Sequence, residues 1–368
     1  MKILYSGGGT LGSVSPLIAT HQKLVSKRQS AKVPSDEALW LGTRFGPERQ
    51  VVESEGINFK SIVGGKFRRY FSFKNLFDFF KIKVGFWQAF FIIKKFKPDL
   101  ILTAGSFVAV PVAWAGWFLR VPIFVHQQDV RVGLANKLMA PFAKKITVAL
   151  EKSLDDFKKE KAVLVGNPVR EKLRNKEIEK LREKMFVHFN NNLPIVLVLG
   201  GGTGALFLNE LVWQSLEKLT KFCNIIHLTG KNKCQSLPAG KAGIQRQNAR
   251  ENYQQFTFLN ADQLAVVYSK ATLVISRAGM STLTELAYFK KPTIIIPIPD
   301  SHQEENAKYF AEKKSALYLS QKELTSEKLV AQIKNLLVDE QSQKELGEQI
   351  NKIFVDYTGE KYLTAILN

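Results

Sequence analysis

The sequence is poor in the residues that build disulfide frameworks and metal sites. It contains 2 cysteines and 5 histidines among 368 residues, and the spacing of Cys223 and Cys234 matches no metal motif. No apolar run reaches the roughly 18 uncharged positions that a membrane-spanning helix needs. The opening MKILYS enters a predicted strand at once instead of forming a signal peptide. We therefore expect a protein of a reducing cytoplasm. We also expect no metal and no cofactor.

Acidic residues are scarce relative to basic ones. The chain has 53 Lys and Arg against 33 Asp and Glu, which gives a formal net charge of +20. Such an excess favours a polyanionic partner, namely nucleic acid, an anionic membrane surface or a phosphate-bearing substrate. A lysine-rich chain whose charge serves only solubility would have the same net charge. Where the basic residues lie in the sequence must therefore decide between a polyanionic partner and solubility.

Apolar runs alternate with helical patterns through two successive parts of the chain. Runs that are apolar on both faces predict parallel sheets covered by helices, and the alternation predicts a doubly wound α/β fold. We predict two Rossmann-like domains, 1–167 and 168–349, with a helix near 350–368 that packs back on the first. Residues 231–251 predict a surface loop or insertion. The predicted strands are 2–5, 38–41, 99–103, 122–126, 145–149, 162–165, 194–199, 224–229, 255–259, 272–276 and 292–297.

Each half places a glycine-rich turn directly after its first strand, GGGTLG at 7–12 and GGGTGA at 200–205. Glycine lets the backbone approach a ligand closely, and the helix that follows offers N–H groups to an anion. Neither turn continues as a Walker A motif. A tight turn without a ligand explains a single loop of this kind, but two loops at matching places favour binding.

Residues 276–307 form a second candidate site. Ser281 and Thr282 are predicted to cap a helix, and Glu285 on its first turn suits ribose hydroxyls. A capping box between Thr282 and Glu285 is the structural alternative. The next strand leads into a polar loop at the sheet edge where ligands bind. Its polar side chains are His302, Gln303 and Asn306.

Two further polar positions follow strands of the first half. His126 and Asp129 lie just past a strand end, where a histidine serves as a general base or holds a sugar hydroxyl. A satisfied loop histidine is the structural alternative. Arg170 suits a diphosphate, whereas its structural alternative is a solvated helix charge.

Residues 64–97 alternate aromatic residues with Lys and Arg around one acid, Asp78. One helix cannot bury all of these rings, and an apolar surface rimmed by cations suits an anionic lipid interface. Burial of about half of the rings in the core and RNA binding by stacking are the alternatives. The contiguous Phe and Ile residues favour lipid, so we expect no nucleic-acid partner. The predicted membrane-facing residues are Phe77, Phe80, Lys81, Lys83, Trp87, Phe90 and Phe91.

These pieces together resemble the MurG family of N-acetylglucosaminyltransferases, glycosyltransferase family 28, over nearly the whole chain. VGNPVR at 165–170 and SRAGMSTLTEL at 276–286 carry the resemblance most specifically. GGGTLGSVSP, LGTRFGPE, KPDLILTAGSFVAVP, GGGTGALFLN and DSHQEENA add to it. The resemblance implies a GT-B fold, with two Rossmann-like domains facing a cleft. It also implies an inverting, metal-independent transfer of GlcNAc from UDP-GlcNAc to the MurNAc C4 hydroxyl of undecaprenyl-diphosphate-linked lipid I. The product is lipid II, made at the cytoplasmic face of the membrane.

The resemblance also implies roles for individual residues. Glu285 corresponds to the ribose ligand, Gln303 to the ligand of the GlcNAc hydroxyls, and Arg170 to a diphosphate ligand. Residues 8–10, Gly8, Gly9 and Thr10, correspond to a loop for the acceptor diphosphate. The implied donor contacts are Thr10, Leu11, Gly12, Asp129, Arg170, Gly202, Leu259, Met280, Ser281, Thr282, Leu283, Thr284, Glu285 and Gln303.

Three places depart from the family pattern. Ser13 stands where the family has His, HQQD at 126–129 replaces HEQN, and Gly-Thr at 202–203 replaces Ser-Gln. Serine has no useful basicity near neutral pH. Either His126 or Asp129 takes the proton, or the family His acts mainly by orientation, or the acceptor differs. We expect a working enzyme with His126 as the base; another lipid acceptor or a weakened scaffold protein are the alternatives.

Overall fold

The computed structural model describes residues 1–31, 36–65, 73–174, 189–190, 192–201, 204–230 and 252–367, without the side chains of 73–77 and 79. The chain divides into two compact units. The first comprises Met1–Glu171 and Phe354–Asn368, and the second comprises Lys172–Ile353. The division falls four residues after the predicted boundary at 167. The predicted loop at 231–251 lies outside the described residues.

The first unit is a parallel sheet of 7 strands in the order β3-β2-β1-β4-β5-β6-β7. Its strands are β1 (Lys2–Ser6), β2 (Glu37–Gly42), β3 (Asn58–Ser61), β4 (Leu100–Thr103), β5 (Ile123–Gln127), β6 (Lys145–Val148) and β7 (Ala162–Leu164). Its helices are α1 (Ser15–Ser30), α2 (Glu48–Ser54), α3 (Phe73–Phe96), α4 (Ala109–Phe118), α5 (Leu134–Met139) and α13 (Glu360–Leu367). The short helix α6 (Glu171–Arg174) begins at Glu171 and its other three residues belong to the second unit.

Both faces of this sheet are buried, as the apolar runs predict. On one face Leu4 belongs to a core that includes Ala89 and Ile93 of α3. On the other face Ile3 belongs to a core that includes Leu17 of α1. Helices on both faces are what a doubly wound parallel sheet requires.

The carboxy-terminal segment belongs to the first unit because the VGNPVR motif binds it. A Cβ atom on Gly166 would lie 2.3 Å from the carbonyl oxygen of Asp356. The Asn167 amide donates to that carbonyl at 3.1 Å, and the Val169 amide donates to Tyr357 at 2.9 Å. The motif therefore forms a backbone joint that leads into helix α13.

The second unit is a parallel sheet of 6 strands in the order β10-β9-β8-β11-β12-β13. Its strands are β8 (Ile195–Leu199), β9 (Asn224–Leu228), β10 (Tyr253–Phe256), β11 (Leu273–Ser276), β12 (Thr293–Ile295) and β13 (Leu317–Tyr318). The described helices that lie entirely in this unit are α7 (Leu206–Leu219), α8 (Ala261–Lys270), α9 (Met280–Tyr288), α10 (His302–Glu312), α11 (Ser326–Val338) and α12 (Glu340–Asn351).

The structure confirms the predicted doubly wound α/β class, and every predicted strand is found. The strand predicted at 255–259 is displaced and spans Tyr253–Phe256. The sequence patterns missed two edge strands, β3 and β13. The residues of β3 are mostly exposed and those of β13 are half-buried, so neither strand has the apolar run that marks a central strand.

Candidate active site

The glycine loop after β1 exposes part of its backbone. Gly9 has a φ of +79°, a left-handed conformation that glycine adopts readily. Gly9, Thr10 and Gly12 are exposed, Leu11 is half-buried, and Gly8 is buried. The exposed part of the loop therefore lies at Gly9–Gly12, at the carboxyl edge of the sheet where ligands bind in such folds.

Four side chains from other parts of the first unit hold this loop by its backbone. Each contact joins residues far apart in sequence. The contacts are Trp40 Nε1 to the Gly7 carbonyl at 2.9 Å, Ser106 Oγ to the Gly8 carbonyl at 2.7 Å, Glu48 Oε2 from the Gly9 amide at 3.1 Å, and Gln128 Nε2 to the Gly12 carbonyl at 2.9 Å. These four hydrogen bonds connect the loop backbone to the rest of the first unit.

His126 is fully buried in the first unit. Its Nδ1 lies 2.9 Å from Thr147 Oγ1 and its Nε2 lies 3.0 Å from Asn167 Oδ1. The ring of Tyr362 covers it at a centroid distance of 5.1 Å. Burial lowers the pKa of His126 to about 4. An imidazole with both nitrogens engaged and no access to a ligand cannot take an acceptor proton, so this geometry disagrees with the predicted base.

Asp129 and Ser13 occupy different environments near the same loop. Asp129 is half-buried just after β5, and its neighbour Gln128 binds the Gly12 carbonyl. Gln127 Nε2 donates to the Asp129 carbonyl at 2.7 Å, which fixes the backbone there. Ser13 Oγ is buried and has no hydrogen-bond partner within the described part of the chain. Of the three predicted catalytic residues, Asp129 is the titratable one with partial exposure.

In the second unit, helix α9 begins one turn earlier than the capping pattern predicts. Gly279 is its N-cap, with extended φ and ψ of −74° and 121° and no side-chain cap. The helix therefore starts at Met280, and Ser281 and Thr282 lie within its first turn. The predicted cap at Ser281 and Thr282 is therefore wrong, and Glu285 lies on the second turn instead of the first. The alternative of a capping box between Thr282 and Glu285 is not found either.

Glu285 is almost fully buried beside the start of α9. Its Oε2 accepts a hydrogen bond from the Tyr268 hydroxyl at 2.9 Å, and 6% of the residue is exposed. The side chains of Leu283 and Thr284 face the interior, since 0% and 1% of these residues are exposed. Thr284 Oγ1 donates to the Met280 carbonyl at 2.8 Å. This placement disagrees with side-chain donor contacts from Leu283 and Thr284.

Arg277 directly follows β11, and the sequence analysis did not single it out. One of its terminal nitrogens donates to the carbonyls of Ile296 at 2.8 Å and Pro297 at 3.1 Å, and to Gln321 Oε1 at 2.7 Å. Burial lowers the pKa of Arg277 to about 10, so it stays a cation at neutral pH. The sequence does carry a signal for such a residue, because Arg277 stands at the end of a strand and just before a turn that contains glycine.

The start of α10 holds the next predicted donor residues. The Ser301 side chain caps the helix by accepting from the Gln303 amide at 3.2 Å. Gln303 is half-buried, and its Oε1 accepts from the Ile298 amide at 3.1 Å. No partner of Gln303 Nε2 is found among the described residues. Asn306 Nδ2 donates to the Ala278 carbonyl at 3.0 Å, which ties α10 to the turn before α9.

The remaining predicted donor residues are less informative. Leu259 is buried, with 2% of the residue exposed, directly before the N-cap Asn260 of α8. Arg170 is half-buried and belongs to the first unit. Gly202 lies outside the described residues. Across the described ranges, no three His, Cys, Asp or Glu side chains cluster closely enough to hold a metal ion.

Helix α3 has one buried and one exposed face. Ile82, Ala89 and Ile93 contribute to the core. On the other face Phe80, Trp87 and Phe91 are 57%, 56% and 63% exposed, at the spacing of one helix face. Lys81 and Lys83, which were also predicted to face the membrane, are exposed. Lys81 Nζ forms an ion pair with Asp78 at 3.1 Å.

The end of α4 extends this exposed apolar face. Trp117 and Phe118 are 55% and 65% exposed, and the sequence analysis missed both. Phe90 was predicted to face the membrane but is half-buried, with its ring centroid 5.9 Å from that of Phe118. The side chain of Phe77 lies outside the described residues. Within the described chain, every helix is too short or too polar to cross a bilayer.

Two family domains match the chain. The Glycosyltransferase family 28 N-terminal domain matches residues 3–148, and the Glycosyltransferase family 28 C-terminal domain matches residues 195–358. The first match lies within the first unit, and the second covers most of the second unit. Together the matches span more than half of the chain.

Curated relatives share the name UDP-N-acetylglucosamine--N-acetylmuramyl-(pentapeptide) pyrophosphoryl-undecaprenol N-acetylglucosamine transferase. The protein of this name from Clostridium tetani is 37% identical over 328 residues, which cover 88% of this chain and 86% of that protein. The one from Clostridium kluyveri is 34% identical over 339 residues, which cover 91% of each chain.

Solved structures share the fold. The crystal structure of Acinetobacter baumannii MurG is 24% identical with a TM-score of 0.70, and covers 100% of this chain and 98% of that one. UDP-GlcNAc 2-epimerase from Neisseria meningitidis, solved with UDP-GlcNAc bound, is 13% identical with a TM-score of 0.71 and full coverage of both chains, 100% each. The GT-B architecture is therefore common to this chain and to proteins of different activity.

Proposed function

The chain belongs to glycosyltransferase family 28, and on that premise we propose that it transfers GlcNAc from UDP-GlcNAc to the N-acetylmuramyl sugar of lipid I. The product is lipid II, the disaccharide-linked lipid of peptidoglycan synthesis. The observation that carries the proposal is the start of α9 in the family's C-terminal domain. There a glycine-capped helix end lies beside a buried carboxylate, Glu285. That pair suits the diphosphate and the ribose of a nucleotide sugar.

Donor binding is assigned to the second unit. The first turn of α9 offers backbone N–H groups and the positive end of the helix dipole to the diphosphate. Arg277 adds a buried cation at the ends of β11 and β12. Glu285 accepts hydrogen bonds from the ribose hydroxyls, and Tyr268 orients its carboxylate. Gln303 Nε2 donates to a hydroxyl of the GlcNAc ring.

Proton removal is assigned to Asp129. In an inverting transfer the C4 hydroxyl oxygen of MurNAc forms a bond to the anomeric carbon while the bond to the diphosphate breaks. The hydroxyl proton passes to a base, and the electron pair of the broken bond leaves with UDP. Asp129 is partly exposed and follows the residue that binds Gly12. Its carboxylate is the best base among the three predicted catalytic residues, because His126 is enclosed and Ser13 is not basic.

Membrane attachment is assigned to the exposed face of α3 and the end of α4. Aromatic rings flanked by lysines suit the headgroup region of an anionic membrane, and a lipid-linked acceptor lies there. We place the enzyme at the cytoplasmic face of the membrane, without a nucleic-acid partner. Flotation with anionic vesicles should be lost in the Trp87→Ser/Phe91→Ser variant. Val338→Ser is the matched control, because Val338 is 75% exposed in the second unit, and flotation equal to wild type in both would contradict the assignment.

A transfer assay tests the reaction itself. Radiolabelled UDP-GlcNAc is incubated with the enzyme and a panel of lipid acceptors that includes lipid I. We expect label in the lipid extract with the N-acetylmuramyl-pentapeptide acceptor. Label only with a different acceptor would correct the substrate, and no label with any acceptor despite UDP binding would identify a catalytically weakened scaffold.

A further inference from the structure

A carboxylate that the reaction scheme does not use lies beneath the glycine loop of the first unit. Glu48 is the first residue of α2, and none of it is exposed. Its Oε2 accepts the Gly9 amide at 3.1 Å. Its Oε1 accepts the Thr43 amide at 2.7 Å and the Thr43 hydroxyl at 2.5 Å. One side chain therefore joins the loop after β1 to the loop after β2.

The same carboxylate explains two glycines. A Cβ atom on Gly8 would lie 2.1 Å from Glu48 Oε1, and a Cβ atom on Gly46 would lie 1.8 Å from Oε2. Real Cβ atoms do not approach oxygen so closely, so both positions exclude other residues while Glu48 stays in place. The motifs GGGTLG and LGTRFGPE, which are separate in sequence, thus form one packed assembly.

The charge of Glu48 also constrains what the loop can bind. Among the described residues no lysine, arginine or histidine forms an ion pair with it. Three hydrogen bonds stabilise the buried carboxylate instead, as buried charges require. The Gly9 amide points to this carboxylate, so it is not available to a phosphate oxygen, and the negative charge beneath Gly8 and Gly9 opposes an anion there.

We propose that Glu48 is a positioning residue that fixes the glycine loop for an uncharged part of the acceptor, its sugar hydroxyls. The role in transfer rests on the proposed function. Gly8 and Gly9 are then not a binding loop for the acceptor diphosphate, because the buried Glu48 carboxylate lies beneath them and repels an anion. Thr10 to Gly12 remain the part of the loop that faces the ligand.

Glu48→Gln in the full-length protein tests the proposal. Glutamine has nearly the same shape as glutamate, but only one of its two terminal atoms is an acceptor oxygen. The other is an NH₂ group, which cannot accept the hydrogen bonds that Gly9 and Thr43 donate. Loss of one charge-assisted hydrogen bond corresponds to about a 10- to 100-fold change in an equilibrium. Glu53→Gln is the matched control, since Glu53 lies on the same helix and forms an exposed pair with Arg49. Three readouts are compared: amide exchange of the peptide that covers 7–12, kcat/KM for lipid I, and the Kd of UDP.

We expect amide exchange in 7–12 to accelerate at least about 10-fold in Glu48→Gln, with kcat/KM for lipid I falling about 10- to 100-fold. The Kd of UDP should stay within about twofold, because UDP is assigned to the second unit. Unchanged exchange in 7–12 overturns the proposal. Faster exchange with an unchanged kcat/KM, or faster exchange spread evenly over the first unit, also overturns it.

If Glu48→Gln does not fold, Thr43→Val takes its place. This variant removes the hydroxyl donor to Glu48 and leaves the charge, so it should show the same changes in exchange and in kcat/KM at smaller amplitude. A wild-type enzyme that binds UDP but labels no lipid contradicts the proposed function alone. Exchange in 7–12 then decides by itself whether Glu48 fixes the loop.

Discussion

The two units have the same strand order at their centre but bury different charged groups beside their binding loops, Glu48 in the first unit and both Arg277 and Glu285 in the second. In the first unit the loop after β1 lies on the carboxylate of Glu48. In the second unit the turn after β11 follows the guanidinium of Arg277, which binds the end of β12. The shared topology supplies a loop at each sheet edge, and the side chains added to it decide which ligand it takes.

This difference indicates that the two units bind different ligands. A loop with an anionic underside suits neutral hydroxyl groups, whereas a helix N-terminus beside a buried cation suits a diphosphate. We infer that the second unit binds the nucleotide and that the first binds the acceptor sugar.

The largest expected effect is on the chemical step in the first unit. Asp129→Asn removes the assigned base, so kcat should fall about 100- to 10,000-fold. The Kd of UDP should stay unchanged, because the nucleotide is assigned elsewhere. Steady-state kinetics with lipid I checks this, with exposed Asp155→Asn as the control. A kcat within a factor of about three of wild type would exclude Asp129 as the base.

The next effect concerns the nucleotide in the second unit. Glu285→Ala removes the acceptor of two ribose hydrogen bonds, so the Kd of UDP should rise about 100-fold. Calorimetric titration measures it, and Glu348→Ala on α12 is an exposed control. If both variants bind UDP like wild type, the ribose is held elsewhere.

Acid should act on both units, because burial lowers the pKa of His21 and His126 in the first unit and of His227 in the second. Burial lowers the pKa of His126 to about 4 and that of His227 to about 3. The unfolded chain takes up these protons below about pH 6.5, but the folded chain does not until near pH 4. Stability is therefore complete above pH 6.5 and falls as the pH drops toward 4.

Urea unfolding at pH 7.5 and pH 5 measures this loss. Full protonation would cost roughly 3 kcal/mol for His126 alone. His126→Gln should make the first unit less stable at pH 7.5 and less sensitive to acid, whereas exposed His302→Gln should change neither. An acid sensitivity that His126→Gln leaves intact would show that His126 is not the cause.

The smallest effect is expected for Tyr268→Phe. This change removes the hydrogen bond that orients Glu285 but leaves the carboxylate in place. Because Glu285 keeps its own contacts to the ribose, loss of this orienting hydrogen bond should weaken the Kd for UDP only about 2- to 10-fold. A loss as large as that of Glu285→Ala would mean that the tyrosine itself contacts the nucleotide.

The sequence predicted the central strands well because they are buried on both faces. Runs such as LILT and IVLVL mark such strands regardless of the rest of the chain. The edge strand β3 gave no such signal, since its residues are mostly exposed. Capping at Thr282 was mispredicted because Gly279 reaches the extended N-cap conformation without help from a side chain.

The catalytic assignment was the hardest part to predict. His126 ends an apolar run and looks like a loop residue in sequence, but it lies within β5. Thr147 and Asn167, which enclose it, lie 21 and 41 positions away. Glu48 was visible only as the end of a motif, because its partner Gly9 is 39 positions away. Contacts of this kind depend on tertiary packing, which local patterns do not report.

The most direct test of which unit binds the nucleotide is photoaffinity labelling. The probe is a UDP-GlcNAc analogue that carries a photoreactive group on the uracil. After irradiation, digestion and mass spectrometry locate the modified peptides. We predict label on peptides of the second unit around β10 and the start of α9, suppressed by excess UDP. UDP-protected label on the glycine loop of the first unit, with none in the second, would contradict the account.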